Sequence, residues 1–574
     1  MSTTKTIATF DYETDPFKAG RSPEPFSCGF YDGQNYWDFW GDDCTKQFML
    51  FLYNSYIPDY MVGDNLIIYA HNGGKFDFFY LLDYLDPELF MINGRIGRAY
   101  LTGARFIEFR DSYLILPLPL SANDKDSISY DKFERDVRED HKEEILKYQK
   151  KDCTSLHEWV SGFAASYGTG LTIAGTAFKE LKKLDYKVKN TSDEYDSKFR
   201  PFYYGGRVQC FETGHMSGWF ECVDINSAYP WAMTKDHWHG DRYRVSSSIP
   251  DTDNGSWFID CVAISKGALP IRGDDGKLYY PDDNTERRYR VTGWEIMAGL
   301  DTETLQIVKI HSVFVPNNLE TLKPYVDKFF GLKSEADKNM KEAKAAGDDV
   351  QCRYWKAQRL FSKTLSNSCY GKFGQDGRKF EKFEIFPWGE SPAGDGWKLY
   401  SETSDHAIYS RPDPADRFFN VATAASITGC VRAYLWRSIC TSDRPLYCDT
   451  DSIICQKFNG EIGDELGQWE CEARGSDVYI AQRKMYAMKR HQKLWPFFDY
   501  KIASKGVRLT AQQIIDGVTT GKTIVTERDA PAFSLKQYKS SVSTKFGSRF
   551  FQKKISFENI EKNACTTPPE IDSI

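Results

Sequence analysis

Two sets of carboxylates, far apart along the chain, constrain the fold more than any other feature. In the first third, Phe10-Asp11-Tyr12-Glu13-Thr14 ends an apolar strand-like run at 7–10. Asp11 and Glu13 are two residues apart and so lie on one side of an extended chain. A second apolar run, 66–70, leads into His71-Asn72-Gly73-Gly74-Lys75-Phe76-Asp77, and Asp77 opens an apolar helix over 78–85. Tyr148 and Asp152 fall one turn apart on a long charged helix predicted over about 129–161. In the second set, Asp224 closes a strand-like run at 219–225, and Asp449 and Asp451 lie within another at 444–455.

There is ample material to build around these acids. The 574 residues allow about four domains or subdomains, and 41% are hydrophobic, enough for large cores. No run of apolar residues is long enough to cross a membrane, and the start, MSTTKTIATF, lacks a signal-peptide pattern, so a cytoplasmic protein is expected. A formal net charge of −7 excludes a histone-like coat but suits an enzyme that stores carboxylates and keeps a local basic channel. The 14 cysteines include no C-x-x-C pair, which argues against a zinc ribbon or iron–sulfur cluster. A polar stretch at 190–198 marks a boundary, a Lys- and Ala-rich helical region covers about 324–372, and 389–415 reads as an irregular insertion.

Four acids on separate elements can converge on two Mg²⁺ ions, the arrangement used for phosphodiester hydrolysis, with Tyr148 orienting the attacking water. Taken singly, each acid also fits a helix cap or a solvated surface. The joint order D-x-E, N-x-x-x-F-D, Y-x-x-x-D resembles the three exonuclease motifs of the DEDDy proofreading nucleases. The usual middle motif has two residues between Asn and Phe-Asp; here Gly73-Gly74-Lys75 makes three, a variant associated with one branch of polymerases. The resemblance implies that Asp11, Glu13, Asp77 and Asp152 hold metal. It also implies that Thr14, Asn72 and Phe76 hold a single-stranded 3′ end, where a ring stacked on a base is a sequence-tolerant anchor.

The second set reads Val223-Asp224-Ile225-Asn226-Ser227-Ala228-Tyr229-Pro230, then Lys363-Thr364-Leu365-Ser366-Asn367-Ser368-Cys369-Tyr370-Gly371, then Tyr447-Cys448-Asp449-Thr450-Asp451-Ser452. An Asp-Thr-Asp is by itself an ordinary hairpin turn, and a lone lysine a solvated helix face. In this order they resemble motifs A, B and C of the family B DNA polymerases. The resemblance implies that Asp224, Asp451 and the Ile225 carbonyl hold two Mg²⁺, with Mn²⁺ a possible substitute, and that Asp449 supports them. Lys363, and as a weaker candidate Lys333, would neutralise the incoming phosphates. Tyr229, next to Ala228, would lie under the sugar and block a 2′-OH. Tyr370 would pack on the nascent base pair, with Asn367 beside it.

Tyr203-Tyr204-Gly205-Gly206 resembles the Y-x-G-G motif that passes a primer between polymerising and editing sites. Thr428 and Arg432 resemble a template-binding T-x-x-[GA]-R motif in which Val431 departs at the small position, and Lys484-Met485-Tyr486 resembles K-x-Y, which supports the primer end. From 483 to 508 there are eight Lys or Arg and one acid, Asp499, and from 533 to 556 six bases and no acid, the local basic surfaces that the whole-chain charge conceals. A turn, Gly517-Val518-Thr519-Thr520-Gly521-Lys522-Thr523, imitates a P-loop but is one residue short between its glycines, so no ATPase is expected.

The whole chain is most similar to the protein-primed family B DNA polymerases of small linear-genome phages, the tectivirus type above all. It is short for a polymerase with a nuclease, the stretch 233–363 leaves room for an insertion at about 265–321, and a second irregular segment falls at about 375–419. The fold implied is multidomain, α/β and α+β: an RNase H-like 3′–5′ exonuclease domain at 1–195, then a right-hand polymerase. Its palm would take 196–264 and 421–475, its fingers 323–374 and its thumb and basic end 476–574. Residues 265–322 and 375–420 would be terminal-protein regions one and two. The first would contact the priming protein, and the second would encircle template and confer processivity and strand displacement. The partners implied are template and primer DNA, dNTPs and a terminal protein, with no membrane; no clamp-binding peptide is visible, so no sliding clamp is expected. Three rivals stand beside this: a conventional DNA- or RNA-primed polymerase, a nuclease with a degenerate polymerase half, and a DNA-binding replication scaffold.

Overall fold

The computed structural model describes residues 5–16, 23–56, 65–120, 126–402, 405–414, 418–491, 498–530 and 549–564. The N-terminal unit is built on a ten-stranded sheet. Three strands at its heart are parallel: Lys5–Thr14 beside Asn65–Ala70 beside Ala104–Asp111. They carry near-continuous apolar runs because both faces are covered, and Ala8, Phe10, Leu66, Ile68 and Phe109 are fully buried. Antiparallel strands Pro25–Tyr31 and Tyr36–Trp40 extend one side, and Arg95–Leu101 and Glu88–Ile92 the other.

The long helix packed on this sheet runs Lys142–Tyr167, shorter at its start than the charge pattern predicts. Residues 130–133 form only a 3₁₀ turn. Arg135 and Arg138, in the stretch between, both reach buried Asp15, at 2.6 and 3.2 Å, and these long-range ion pairs override the local helical pattern. Asp77 likewise opens a 3₁₀ helix, Asp77–Tyr84. The polar boundary near 190 proves to hold a helix, Asp193–Phe199, capped by the Ser192 hydroxyl and led by acids that suit its N-terminus.

The segment read as irregular, 389–415, carries two strands that join one just before it. Glu381–Pro387, Lys398–Glu402 and His406–Pro412 form an antiparallel meander. Its first strand pairs Phe383 with Leu89, so the meander completes the N-terminal sheet from nearly 300 residues away. Phe383, Ile385 and Ile408 bury into that unit's core, a few apolar side chains that the Gly- and Ser-rich neighbourhood hides in the sequence.

The second unit centres on a seven-stranded antiparallel sheet ordered Phe498–Ser504, Met485–His491, Trp469–Gln482, Gly214–Ile225, Ser452–Lys457, Asp443–Asp449, Val208–Cys210. Behind it lies helix Val421–Thr441, buried along almost its whole length. A four-stranded sheet follows in the order Tyr243–Ser246, Leu305–Pro316, Phe258–Ser265, Glu286–Thr292, leading into the capped helix Gly293–Asp301. Two long helices, Lys323–Ala346 and Asp349–Ser368, fold back on each other at Gly347, whose φ of 70° is left-handed. The P-loop imitation is the end of helix Ala511–Thr520, with Gly521 as its left-handed cap. No helix among the described residues is long and apolar enough to cross a membrane. Residues 533–548 of the basic C-terminal stretch lie outside the described residues.

Helix Val421–Thr441 can be central because it is narrow. Ala422, Ala424, Ala425, Ser426, Gly429, Cys430 and Ala433 let neighbours approach closely. A Cβ on Gly429 would lie 2.3 Å from Thr292 Oγ1, the cap of the next helix. Gly429→Ala is therefore expected to destabilise this unit by about 1–3 kcal/mol through overpacking. Thermal melting should detect the loss, whereas Gly371→Ala, where a Cβ would meet open space, should melt as the wild type does.

Candidate active sites

In the N-terminal unit, Asp11 and Glu13 end the first strand and Asp152 faces them from the long helix. Each offers an oxygen, and the three lie within 4.8 Å of one another. The helix is held at this distance by Gln149, which donates to the Asp11 and Ser27 carbonyls at 3.0 and 3.2 Å and accepts from the Ser27 hydroxyl at 2.7 Å. Asp77 sits just outside the trio, accepting the Tyr12 N–H at 3.3 Å. Burial raises its proton affinity well above the usual carboxylate range.

A cleft of about 590 Å³ opens over the trio, lined also by Thr14, Phe76 and Tyr148. Tyr130 and Phe133 join them, two rings that sequence reasoning missed. The spacing Tyr-x-x-Phe in the stretch before the helix was the available signal. Asn72 takes the left-handed conformation (φ 62°), and its amide oxygen accepts from Arg95, which is itself paired with buried Asp111 at 2.7 Å. The three-residue spacer fits because Gly74 lies flat on the Ile96 carbonyl, 2.0 Å from where a Cβ would be.

The second site lies where neighbouring strands of the seven-stranded sheet end. Asp224 pairs in register with Ser452, and the Ile225 N–H donates to the Asp451 carbonyl at 2.7 Å, which sets the two acids side by side. Asp224 is pushed up to about 7 by burial, then by Asp451 and Glu472. Asp451 is pushed up to about 6 by burial and then by Asp449. Half-buried acids in mutual repulsion form a donor set suited to divalent cations. Glu470 pairs in register with Asp224, and Glu472, two residues on, is bonded to Lys501. The sequence reading missed both acids and this lysine, although Glu-x-Glu on a strand carries the same one-sided signature as Asp11 and Glu13.

Asp449 takes both of its oxygens to Lys484 Nζ, at 2.6 and 2.7 Å, and receives the Tyr447 hydroxyl at 3.2 Å. Tyr486 packs on Tyr447, ring centres 5.2 Å apart. Lys363 is exposed on the helix Asp349–Ser368 and lowers the proton affinity of Asp224 from across the cleft. Half-buried Lys333 loses proton affinity through burial, then through Arg359 and Lys363, so these three cations share one patch. Arg359 was not anticipated. Tyr229 and Tyr370 meet as a stack, centres 4.2 Å apart and 16° between planes, with Asn367 half-buried on the same helix as Lys363. Ala228 is buried at the start of the short helix Ala228–Met233.

Tyr203, Gly205 and Gly206 run past the Asp449–Asp451 turn, and a Cβ on Gly206 would lie 2.7 Å from the Thr450 side chain. Thr428 and Arg432, expected on template, are 2% and 3% exposed within the central helix. Arg432 donates to Glu295 Oε1 at 2.8 Å and to the Tyr204 and Gly205 carbonyls, both at 2.8 Å. A buried guanidinium needs acceptors on several sides, and here it ties the Y-x-G-G loop to the insertion.

Residues 119–386 match the family model described as DNA polymerase type B, organellar and viral. The DNA-directed DNA polymerase of Enterobacteria phage PRD1 is 40% identical over 515 residues, 88% of this chain and 86% of its own. A probable DNA polymerase of Agaricus bitorquis is 22% identical over 78% of this chain and 67% of its own. Among solved structures, phi29 DNA polymerase complexed with primer-template DNA and incoming nucleotides superimposes with a TM-score of 0.69 at 17% identity, covering 96% of this chain and 99% of that one. Its binary complex with primer-template DNA gives 0.70 at 16% identity.

The buried Arg432–Glu295 pair yields a direct test. Glu295→Ala strands a buried cation and is expected to cost roughly 3–5 kcal/mol. Adding Arg432→Met should restore most of that stability, since an apolar side chain of similar length needs no counter-charge. Urea unfolding of the two variants reads both numbers, and additive losses would dissolve the pairing.

Proposed function

The chain belongs to the organellar and viral type B DNA polymerases and is a DNA-directed DNA polymerase, and on that premise we propose that it replicates a linear phage genome, starts on the hydroxyl of a terminal protein and proofreads with a 3′–5′ exonuclease. The observation that carries this reading is the presence of two separate acid centres on two sheets of one chain. A polymerase without editing needs only one.

Asp224, Asp451 and the Ile225 carbonyl would hold the cations of the polymerising centre, and Asp11, Glu13, Asp77 and Asp152 those of the editing centre. Bound Mg²⁺, or Mn²⁺ in its place, supplies activation of the attacking oxygen and neutralisation of the departing charge. Lys363, Lys333 and Arg359 would meet the triphosphate as fixed positive charge. The Tyr229–Tyr370 stack forms a flat wall where the sugar would lie, leaving no room for a 2′-hydroxyl. In the editing cleft, Phe76 and Tyr130 would offer faces to unpaired bases, with Thr14 also in the lining. Tyr148 would orient the attacking water. Lys484 and Tyr486 would support the primer end.

Priming by a protein rests on the segment 265–322. The four-stranded sheet to which this segment belongs carries Arg288 and Arg290 half-exposed on one face, both bonded to Asp260. We assign this face to the terminal protein. The meander 381–412, joined to the editing unit, would guide the template and part the displaced strand.

Two experiments test the reading. Asp451→Ala should abolish primer extension while leaving 3′ degradation of single-stranded DNA, and Asp11→Ala with Asp152→Ala should do the reverse. Retention of wild-type degradation by the double variant would remove the editing assignment. Arg288→Ala with Arg290→Ala should lower covalent nucleotide transfer to the terminal protein at least about tenfold, on the scale of losing contacts at an interface, while sparing extension of a DNA primer. Equal effects on both reactions would favour conventional priming.

A further inference from the structure

Arg207 follows the Tyr203–Gly206 motif and is 1% exposed. Its guanidinium lies between two ring faces, 4.0 Å from the centre of Tyr280 and 4.2 Å from that of Trp436. Nη1 donates to the Gly267 carbonyl at 2.8 Å, and Nε donates to Gln209 Oε1 at 3.1 Å. It makes no ion pair among the described residues. The ionisable side chains that act on it are Cys448, Tyr280 and Cys440, and burial pushes the first two up to about 11 and about 12.

Burying a cation without an acid costs several kcal/mol, and an apolar side chain of equal volume would avoid that cost. The compensation here is geometric. Three cation–π contacts, the third a longer one to Phe211 at 5.8 Å, and a fork of hydrogen bonds fix the plane and position of this one residue. Its cage is equally fixed. Gly267 has a φ of 84°, its N–H donates to the Pro281 carbonyl at 2.8 Å, and a Cβ on it would lie 3.0 Å from Trp436.

The residue so held has a second contact. Its backbone carbonyl accepts the Thr450 N–H at 2.6 Å. Thr450 is the middle of Asp449-Thr450-Asp451, and its φ of 63° is a left-handed conformation that a β-branched side chain adopts only under restraint. The Thr450 hydroxyl donates to Asp449, and the Asp451 N–H donates to the Asp449 carbonyl at 2.6 Å, so the spacing of the two carboxylates depends on this turn.

We propose that Arg207 is a positioning residue of the polymerising centre: caged by Gly267, Tyr280 and Trp436, it holds through its carbonyl the strained Thr450 turn that places the Asp451 carboxylate for metal. The cage comes from two elements, the loop and strands between 266 and 281 and the central helix, so the insertion is wired to the catalytic turn.

The test uses the full chain carrying Asp11→Ala and Asp152→Ala, so that the palm is the metal centre measured. Mn²⁺ affinity is read by electron paramagnetic resonance, and the Mg²⁺ midpoint by extension of a DNA primer in the otherwise unmodified chain. Arg207→Met is expected to melt no lower than its parent, yet to weaken Mn²⁺ binding and raise the Mg²⁺ midpoint by about threefold to tenfold, the range of couplings between residues that share contacts. Arg207→Lys retains the charge but loses the plane and the fork, so it should show the same shift; this keeps the test decisive if the methionine variant fails to fold. In a Thr450→Gly background, where the turn needs no restraint, Arg207→Met should shift metal binding much less. Unchanged metal affinity in the lysine or the folded methionine variant would overturn the proposal. So would equal shifts with and without Thr450→Gly, since Arg207 would then act by some route other than the turn.

Discussion

Asp224 and Asp451 stand side by side at the ends of neighbouring strands, partly withdrawn from water, and negative neighbours make both harder to ionise, Asp451 acting on Asp224 and Asp449 on Asp451. Much of the polymerase unit answers to that repulsion. Lysines approach from three directions: Lys363 from the long helices, Lys484 through Asp449, and Lys501 through Glu472. Each lysine offsets part of the negative charge that the acids gather. The N-terminal acid trio poses the same problem: Gln149 pins the helix that carries Asp152 to the strand that carries Asp11.

Holding like charges together requires a stiff backing. That backing is the helix Val421–Thr441, whose small residues admit close neighbours and whose Arg432 reaches both Glu295 and the Tyr204–Gly205 carbonyls. The segment between motifs A and B is accordingly no appendage. Glu295, Gly267 and Tyr280 all come from it, and all take part in holding the loop that runs past the catalytic turn. A partner bound to this segment would press on the same framework that positions the acids.

The two units are also joined. The meander from 381 to 412 hydrogen-bonds to the N-terminal sheet, and one continuous apolar core includes Leu156, Trp159 and Phe163 of helix Lys142–Tyr167 with Phe361 and Leu365 of the long helices and Val223 of the seven-stranded sheet. Phe163 and Phe361 meet edge to face at 5.3 Å. The two acid clusters are thus held in one packed body.

The acids that the fold gathers were legible from the sequence because their spacing is local. A D-x-E on a strand, a Tyr and an Asp one helical turn apart, and a D-T-D between two apolar runs each state their own geometry through the backbone period. The stacked Tyr229 and Tyr370 were legible as motif members, though not as partners. What the sequence concealed depends on contacts between distant residues. Arg135 and Arg138 leave a helical pattern because Asp15 lies 120 residues away and buried. The meander looked irregular because its few apolar side chains find their core in another unit. Arg432 was legible as a motif member, but its burial and its pairing with Glu295 were not. Side-chain type and spacing decide what a residue can do; which partner satisfies a buried charge is decided by the fold, since an unpaired one is too costly to leave.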